Sequence, residues 1–248
     1  MTDFFQLCIV IPCYNEEDRL DITRFLSFLK VQPQILLCFV NDGSKDNTLK
    51  TLYKIQNEYP KNVSVFSTNT NVGKAEAVRQ GVEHCNLNFK FQKIAYLDAD
   101  LATSLEECLE ISEQVNANIL FAFGSRISKI DNNIQRKMYR FFIGRIVATF
   151  ISKQLHLTVY DTQCGCKIFE HKLSKKIFKR TFISKWLFDV ELFHRIIALY
   201  GIEKMAEISR EIPLKSWVDV GESKVSLTYF FKLWLDLYRI KKTYKTSK

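Results

Sequence analysis

The sequence is short of the residues that loosen a chain, with four prolines and eight glycines among 248 residues. No Pro/Gly/Ser-rich linker, low-complexity tract or internal repeat is visible, which excludes tethered domain strings and repeat architectures. No run approaches the roughly 18–20 consecutive apolar residues of a membrane span. The opening Met1-Thr2-Asp3-Phe4-Phe5-Gln6 has no basic stretch leading into an apolar core, so no secretory signal is expected. His84, His156, His171 and His194 show neither H-x-x-x-H nor H-E-x-x-H spacing, which argues against a His-based metal site. The G-x-x-x-x-G-K-[ST] and G-x-G-x-x-G patterns are both missing, against a P-loop and against a nicotinamide or flavin cofactor. C-x-x-C is absent too. Of seven cysteines, most lie inside apolar runs, and the one close pair is Cys164-Gly165-Cys166. They read as reduced thiols acting as small hydrophobes, as in the cytosol.

What is present is a substantial apolar fraction, 47%, and a net charge of +9. Between Arg126 and Arg180 stand thirteen Lys or Arg against three acids, interleaved with Phe141, Phe142, Ile143, Ile146, Val147 and Phe150. No nucleic-acid recognition motif accompanies them, so nucleic acid is not expected as a partner. The stretch reads either as an amphipathic basic segment at a lipid–water interface or as a solvated face over a core helix.

The first 125 residues alternate short apolar runs with helical patterns, which predicts βαβ units and an α/β fold with a mostly parallel central sheet flanked by helices. Strands are expected near 7–11, 35–40, 63–67, 92–97 and 119–123, and helices near 18–30, 46–58, 73–85 and 104–116. Thr103-Ser104 followed by Glu106-Glu107 is a capping box in either register. Further on, Met138, Phe141, Phe142, Ile146, Phe150 and Ile151 recur at helical spacing. A short strand is expected around 167–169, helices near 172–179 and 187–200, and a strand near 205–212. The expected division is a domain over 1–225, then an aromatic amphipathic helix and basic tail over 226–248. That helix is free to lie on a bilayer, pack on the domain or meet a partner.

Three apolar strands end in polar punctuation, and in a parallel sheet their carboxyl ends share one crevice. The first ends in Pro12-Cys13-Tyr14-Asn15-Glu16, where Tyr14 offers a ring to stack on a base; a plain strand-ending turn reads equally well. The second ends in Asn41-Asp42-Gly43-Ser44, where Asp42 is placed either to accept from a nucleoside or to close an Asx turn. The third ends in Asp98-Ala99-Asp100, two carboxylates suited to a hard divalent cation, Mg2+ or Mn2+, that keeps positions open for substrate phosphates. Asn71-Val72-Gly73-Lys74 precedes the third helix, with Lys74 suited to an anion at a helix N-terminus.

In this order, V-I-P-C-Y-N-E, V-N-D-G-S, N-V-G-K and L-D-A-D resemble the inverting nucleotide-sugar glycosyltransferases of family 2, with their Rossmann-like GT-A fold. The resemblance spans Leu7 to about Ser226. It implies that Pro12, Tyr14, Glu16 and Asp42 bind the nucleoside, with Lys74 on the donor's anion, and that Asp98 and Asp100 serve the metal and sugar phosphate. Gly124-Ser125-Arg126, Asp161-Thr162-Gln163-Cys164-Gly165-Cys166-Lys167, Trp186-Leu187-Phe188-Asp189-Val190-Glu191-Leu192 and Glu211-Ile212-Pro213 look like the dolichyl/polyprenyl-phosphate β-glucosyltransferase group. Implied partners are a nucleotide-sugar donor, UDP-glucose favoured over GDP-mannose, and a lipid phosphate acceptor. The alternative acceptor is a glycan or other hydroxyl, served by a soluble enzyme. Eukaryotic members carry an N-terminal membrane anchor that has no counterpart in the opening residues, so peripheral association with the cytoplasmic face of a membrane is expected. Ala102 stands where several mannosyl relatives place a further metal ligand.

A phosphomonoester acceptor is largely dianionic at pH 7, its second pKa being about 6, and needs less help from a base than a hydroxyl does. The site must instead bring two anions together. Arg126, Arg136 and Arg140 are candidates to grip the acceptor phosphate, because guanidinium forks match its geometry. Asp189 is a candidate catalytic residue that orients acceptor or arginines, with a structural cap as competitor. On a helix Asp189 and Glu191 stand about 200° apart, so only one is expected to point inward.

Overall fold

The computed structural model describes residues 4–135, 138–218 and 227–244, with the side chains of 138–141, 143 and 227–231 outside the description. Arg136 and the Arg140 side chain therefore lie outside the described residues.

Apolar runs without alternation become strands covered on both faces. These are β1 (Phe4–Cys13), β2 (Ile35–Asn41), β3 (Val63–Ser67), β4 (Lys90–Leu97) and β5 (Phe121–Ser125). They alternate with α1 (Ile22–Val31), α2 (Thr48–Glu58), α3 (Lys74–Asn88) and α4 (Leu105–Glu113). The capping box takes the Ser104 register, its hydroxyl accepting the Glu107 N–H at 3.0 Å. Then follow β6 (Asn133–Gln135), α5 (Met138–Leu155), β7 (Cys166–Glu170), α6 (His171–Ile177), α7 (Phe188–Tyr200), α8 (Ile202–Ile208), β8 (Ser209–Pro213), β9 (Ser216–Val218) and α9 (Leu227–Thr243).

Seven strands form one sheet in the order β3-β2-β1-β4-β7-β5-β8. The first four run parallel, as do β5 and β8, while β7 is inserted antiparallel between β4 and β5. The inversion matters for the site, because it brings the loop that enters β7 to the same edge as the carboxyl end of β4. β6 and β9 form a separate parallel pair; three residues each is too short for a periodic signal.

One expectation is corrected. The segment expected to start a strand at 205 is helical through Ile208, and β8 begins at Ser209. Gly201, at φ +84°, ends α7 and opens α8, whose Met205 and Ile208 lie three apart and face the core.

Helices cover both faces of the sheet. α1, α2 and α4 enclose one core with the sheet, and α3, α5, α6, α7, α8 and α9 the other. The apolar stripe of α5 divides: Val147, Ile151 and Leu155 enter the core, whereas Phe142, Ile146 and Phe150 face outward with 52–60% exposure. α9 buries Leu233, Leu237 and Ile240 against the domain while Trp234, Leu235 and Tyr238 stay exposed. Its Trp234 meets Phe150 edge-on at 4.9 Å. Removing the fully buried Ile240 side chain tests whether α9 is integral to that core. Ile240→Ala should cost about 2–5 kcal/mol in chemical denaturation, and an unchanged midpoint would mean that the helix docks without contributing to stability.

Candidate active site

The first two strand-end turns are stitched together. Asn15, at φ +51°, accepts the Lys45 N–H at 2.9 Å and donates its own N–H to Ser44 Oγ at 3.1 Å. The Glu16 N–H donates to Thr48 Oγ1 at 2.8 Å, and the Glu16 carboxylate pairs with Arg19. A left-handed Asn is tolerable, and such backbone tends to be kept where the turn itself has a use.

Asp42 performs the second stitch. One carboxylate oxygen accepts the Val72 N–H at 2.7 Å and the other the Gly73 N–H at 2.9 Å. This fixes the turn that sets Lys74 as the first residue of α3. The adjacent Gly43 has φ +62°, and a Cβ there would lie 2.5 Å from the Thr70 carbonyl carbon, so only glycine lets the two turns close on each other.

The third turn carries the two carboxylates. The Leu101 N–H closes on the Asp98 carbonyl at 3.2 Å with Leu101 itself at φ +50°, and Asp100 accepts the Ala102 N–H at 3.1 Å. Lys74 Nζ lies 2.5 Å from Asp98 Oδ1. Burial opposes the Lys74 charge, but Asp98, Asp189 and Asp100 outweigh it and raise its pKa. Burial and the neighbouring Asp98 charge push the Asp100 carboxyl above its usual value.

Pro12, Tyr14, Glu16, Asp42, Lys74, Asp98 and Asp100, all singled out in the sequence, line one cavity of about 490 Å³. Arg19, Asn71, Gly73, Lys185 and Trp186 also line it, with Cys13 and Ala99 from the strand-end turns. Two oxygen-donor carboxylates, one pushed toward its neutral form by burial and by the other's charge, fit a hard cation that shares its remaining positions with substrate and water. Among the described residues no cluster of three or more His, Cys, Asp or Glu is arranged for a metal, so this chain's ligands would be Asp98 and Asp100.

The Asp98 carboxylate rests against Gly165. A Cβ at Gly165 would come within 2.1 Å of Asp98 Oδ2, and the Gly165 carbonyl accepts the Asp98 N–H at 3.2 Å. The glycine between the two buried cysteines thus has a positional meaning: it vacates the volume that Asp98 fills. All seven cysteines are buried free thiols, as a structural reading requires.

Asp189 and Arg126 are not on the cavity wall. Asp189 lies in the first turn of α7, where it accepts from the Tyr96 hydroxyl and from Lys167 Nζ, the latter at 2.6 Å. Lys167 is fully buried and also donates to the Cys164 carbonyl at 2.6 Å. Burial, reinforced by the Asp189 charge, pushes the Tyr96 phenol well above its ordinary pKa. The expectation that only one of Asp189 and Glu191 points inward is corrected. Both are buried, because α7 is enclosed on opposite sides, and Glu191 pairs with Arg195 at 2.8 Å. Arg126 Nε and Nη2 bind the Asp161 carboxylate at 2.6 and 2.9 Å, which commits the guanidinium fork to the loop that enters β7. Sequence reasoning met Lys167 only as the end of a motif and gave it no role, although a charged residue inside the apolar run Cys166–Phe169 was a signal, and it did not find Lys185.

Two predictions follow from these charges. Because Asp98 and Asp100 repel, Asp100→Asn should leave the metal-free protein at least as stable at neutral pH. Mn2+ at about 100 times its Kd should stabilise the wild type by about 2.7 kcal/mol and leave the variant's melting temperature unmoved; equal shifts would remove Asp100 from the ligand set. Burial opposes ionisation of Asp161, but Arg126 overrides it and holds the carboxyl well below the usual range. A depressed carboxyl stabilises fully above its unfolded pKa of about 3.9 and loses that contribution as pH falls toward the folded value. Asp161→Asn should therefore cost about 3–5 kcal/mol at pH 7, with the gap to wild type closing in melts taken at progressively more acidic pH.

The family model described as Glycosyl transferase family 2 matches residues 8–178. Among curated proteins, the dolichyl-phosphate beta-glucosyltransferase of Saccharomyces cerevisiae is 31% identical over 260 residues, covering 96% of this chain and 75% of the yeast protein. That of Mus musculus is 30% identical over 274 residues, covering 98% and 80%. Among solved structures, glucosyl-3-phosphoglycerate synthase of Mycobacterium tuberculosis in complex with Mn2+, UDP-glucose and phosphoglyceric acid aligns at TM-score 0.68 and 13% identity, covering 96% of this chain and 80% of that one. Mannosyl-3-phosphoglycerate synthase of Rubrobacter xylanophilus aligns at 0.70 and 13%, covering 96% and 73%. The GT-A architecture expected from the motifs is thus the one adopted. With the family model matched from the first strand through α6, this chain belongs to glycosyl transferase family 2.

Proposed function

We propose that the chain transfers glucose from UDP-glucose to a polyprenyl or dolichyl phosphate, with inversion at the anomeric carbon. The observation that carries this reading is the single cavity that joins the two nucleoside turns to Asp98 and Asp100. The relatives named dolichyl-phosphate beta-glucosyltransferase, aligned over nearly the whole chain, indicate the sugar and the acceptor.

In this reading Tyr14 and the turns around Glu16 and Asp42 hold the nucleoside, and Lys74 leaves Asp98 to meet the donor's diphosphate. A divalent cation held by Asp98 and Asp100 would neutralise charge on the departing UDP. An acceptor phosphate oxygen forms the new bond to the anomeric carbon as the bond to the diphosphate oxygen breaks. The acceptor arrives without a proton to remove, which suits a site whose Asp189 is already engaged by Lys167 and Tyr96. Its role is to keep Lys167 and the α7 N-terminus in place behind Asp98.

Among the described residues no helix is long and apolar enough to cross a membrane. Contact with the lipid that carries the acceptor is instead assigned to the outward faces of α5 and α9. Phe142, Ile146, Phe150, Trp234, Leu235 and Tyr238 are exposed there, with Lys153, Lys232, Arg239, Lys241 and Lys242 on the same two helices. Apolar residues flanked by cations suit insertion at the surface of a bilayer containing anionic lipid. The cytoplasmic leaflet is the side proposed.

The test is transfer of labelled sugar to a short polyprenyl phosphate with Mn2+, offering UDP-glucose, UDP-N-acetylglucosamine, UDP-galactose and GDP-mannose in parallel. An organic-extractable product from UDP-glucose alone, lost in Asp100→Ala, is expected. Donor hydrolysis without lipid product would overturn the acceptor and point to a hydroxyl, while product from another donor would overturn the sugar.

A further inference from the structure

Part of the cavity wall comes from neither the strand ends nor α3. The segment 179–187, between α6 and α7, contributes Lys185 and Trp186. Its course is set from behind by buried groups. Arg195 of α7 donates to the carbonyls of Arg180 and Thr181 at 2.8 and 2.6 Å, and Glu191 accepts the Ile183 N–H at 2.7 Å. Ser184 Oγ accepts the Leu187 N–H at 3.0 Å and donates to Asp236 of α9 at 2.7 Å. Lys185 and Trp186 are thereby held between fixed points at Ser184 and Leu187. The Lys185 stem crosses the start of α3, its Cδ lying 3.3 Å from where a Gly73 Cβ would stand. A side chain on Gly73 would crowd that path.

The charges on the wall then become informative. Of the three cations on its described wall, Arg19 is paired with Glu16 and Lys74 with Asp98. The Lys185 ammonium has no ion pair or hydrogen bond with any described residue, although Asp42, Asp98 and Asp100 share the same cavity. A cation delivered to this cavity on an anchored backbone, with no partner among the described residues, is what an incoming phosphate oxyanion needs.

We infer that Lys185 is a phosphate ligand of this site, positioned by the strap 179–187, and that Asp236 holds the strap through Ser184. The ligand chemistry is a phosphate oxyanion, which two substrates supply: the nucleoside diphosphate of the donor and the monophosphate of the acceptor. The inference rests on the glycosyl-transfer reading above and adds a residue that none of the strand-end motifs contains. Asp236 does not touch substrate; it acts through the strap.

The experiment uses the full chain with Mn2+ and three probes: UDP binding, inorganic pyrophosphate binding, and the KM for a short polyprenyl phosphate. Lys185 is exposed, so Lys185→Ala should fold and melt as wild type does. If the oxyanion is the donor's, Lys185→Ala weakens UDP and pyrophosphate about 10- to 100-fold, and Lys185→Arg restores most of the loss. If it is the acceptor's, the lipid KM rises by that factor while UDP binding stays unchanged. Asp236→Ala should weaken the same probe by less, and the double variant should be no weaker than Lys185→Ala alone, as two links of one chain require. All three probes unchanged in Lys185→Ala would overturn the inference and leave a solvated surface lysine. Full additivity in the double variant would remove Asp236 from the strap. Pyrophosphate separates the two readings: loss of its binding in Lys185→Ala, beside a wild type that neither binds UDP nor makes lipid product, keeps the ligand and sinks glycosyl transfer. A wild type that binds no pyrophosphate overturns Lys185 as well.

Discussion

The carboxylate of Asp98 has to be seated at the end of a central strand, and the geometry around the cavity follows from that. A charged group in that position needs volume, a backbone anchor and a counterion. Gly165 vacates the volume and its carbonyl takes the Asp98 N–H, while Lys74 supplies the charge at 2.5 Å. Gly165 can stand there only because β7 runs antiparallel to β4, so that the loop entering one strand meets the loop leaving the other. Lys74 can reach only because Asp42 pins the turn before α3. Three segments far apart in sequence are thus required by one side chain. The arrangement leaves Asp100 with its charge opposed by its neighbour's, a cost that a cation or donor would relieve on binding.

Behind that edge the α7 side of the sheet carries an unusual load of buried charge. An isolated ammonium in an apolar interior is untenable, and Lys167 is tolerated because Asp189 and the Cys164 carbonyl satisfy it together. Arg195 is likewise divided among Glu191, Tyr244 and backbone carbonyls of the segment after α6. Such pairs add little net stability over apolar packing, yet breaking one leaves a costly orphan. Their value is geometric: each ties a loop of the site to a helix that does not itself line the cavity.

The sequence was most legible where a single residue type has one physical use. Strand runs such as Ile35–Val40, the Ser104 cap and the convergence of Pro12, Tyr14, Asp42, Asp98 and Asp100 all depend on local pattern plus the rule that parallel strands end at one edge. The rest depended on pairings that pattern does not encode. Lys167 sits in an apolar run, and nothing local reveals that Asp189, twenty-two residues on, will neutralise it. Arg126 had the right chemistry for a phosphate, but an acid thirty-five residues away takes its fork. Met205 and Ile208 fit a strand or a helix until Gly201 is seen at φ +84°. The spacing of the α5 stripe was clear, whereas its partition into buried and exposed faces required knowing where α9 lies.

That position of α9 links two properties which the chain keeps far apart in sequence. One face of the helix enters the core through Leu233, Leu237 and Ile240. Another presents Trp234 and Tyr238 beside the outward face of α5, and a third point, Asp236, reaches Ser184 in the strap over the cavity. Tyr244, just past α9, closes the same circuit by bonding Glu191 and Arg195, which hold the strap's other residues. One helix thus contributes both to the exposed aromatic surface and, through Asp236 and Ser184, to the backbone that carries Lys185 and Trp186. The surface that would meet a lipid and the residues that would meet a phosphate are therefore joined by side-chain hydrogen bonds through α9.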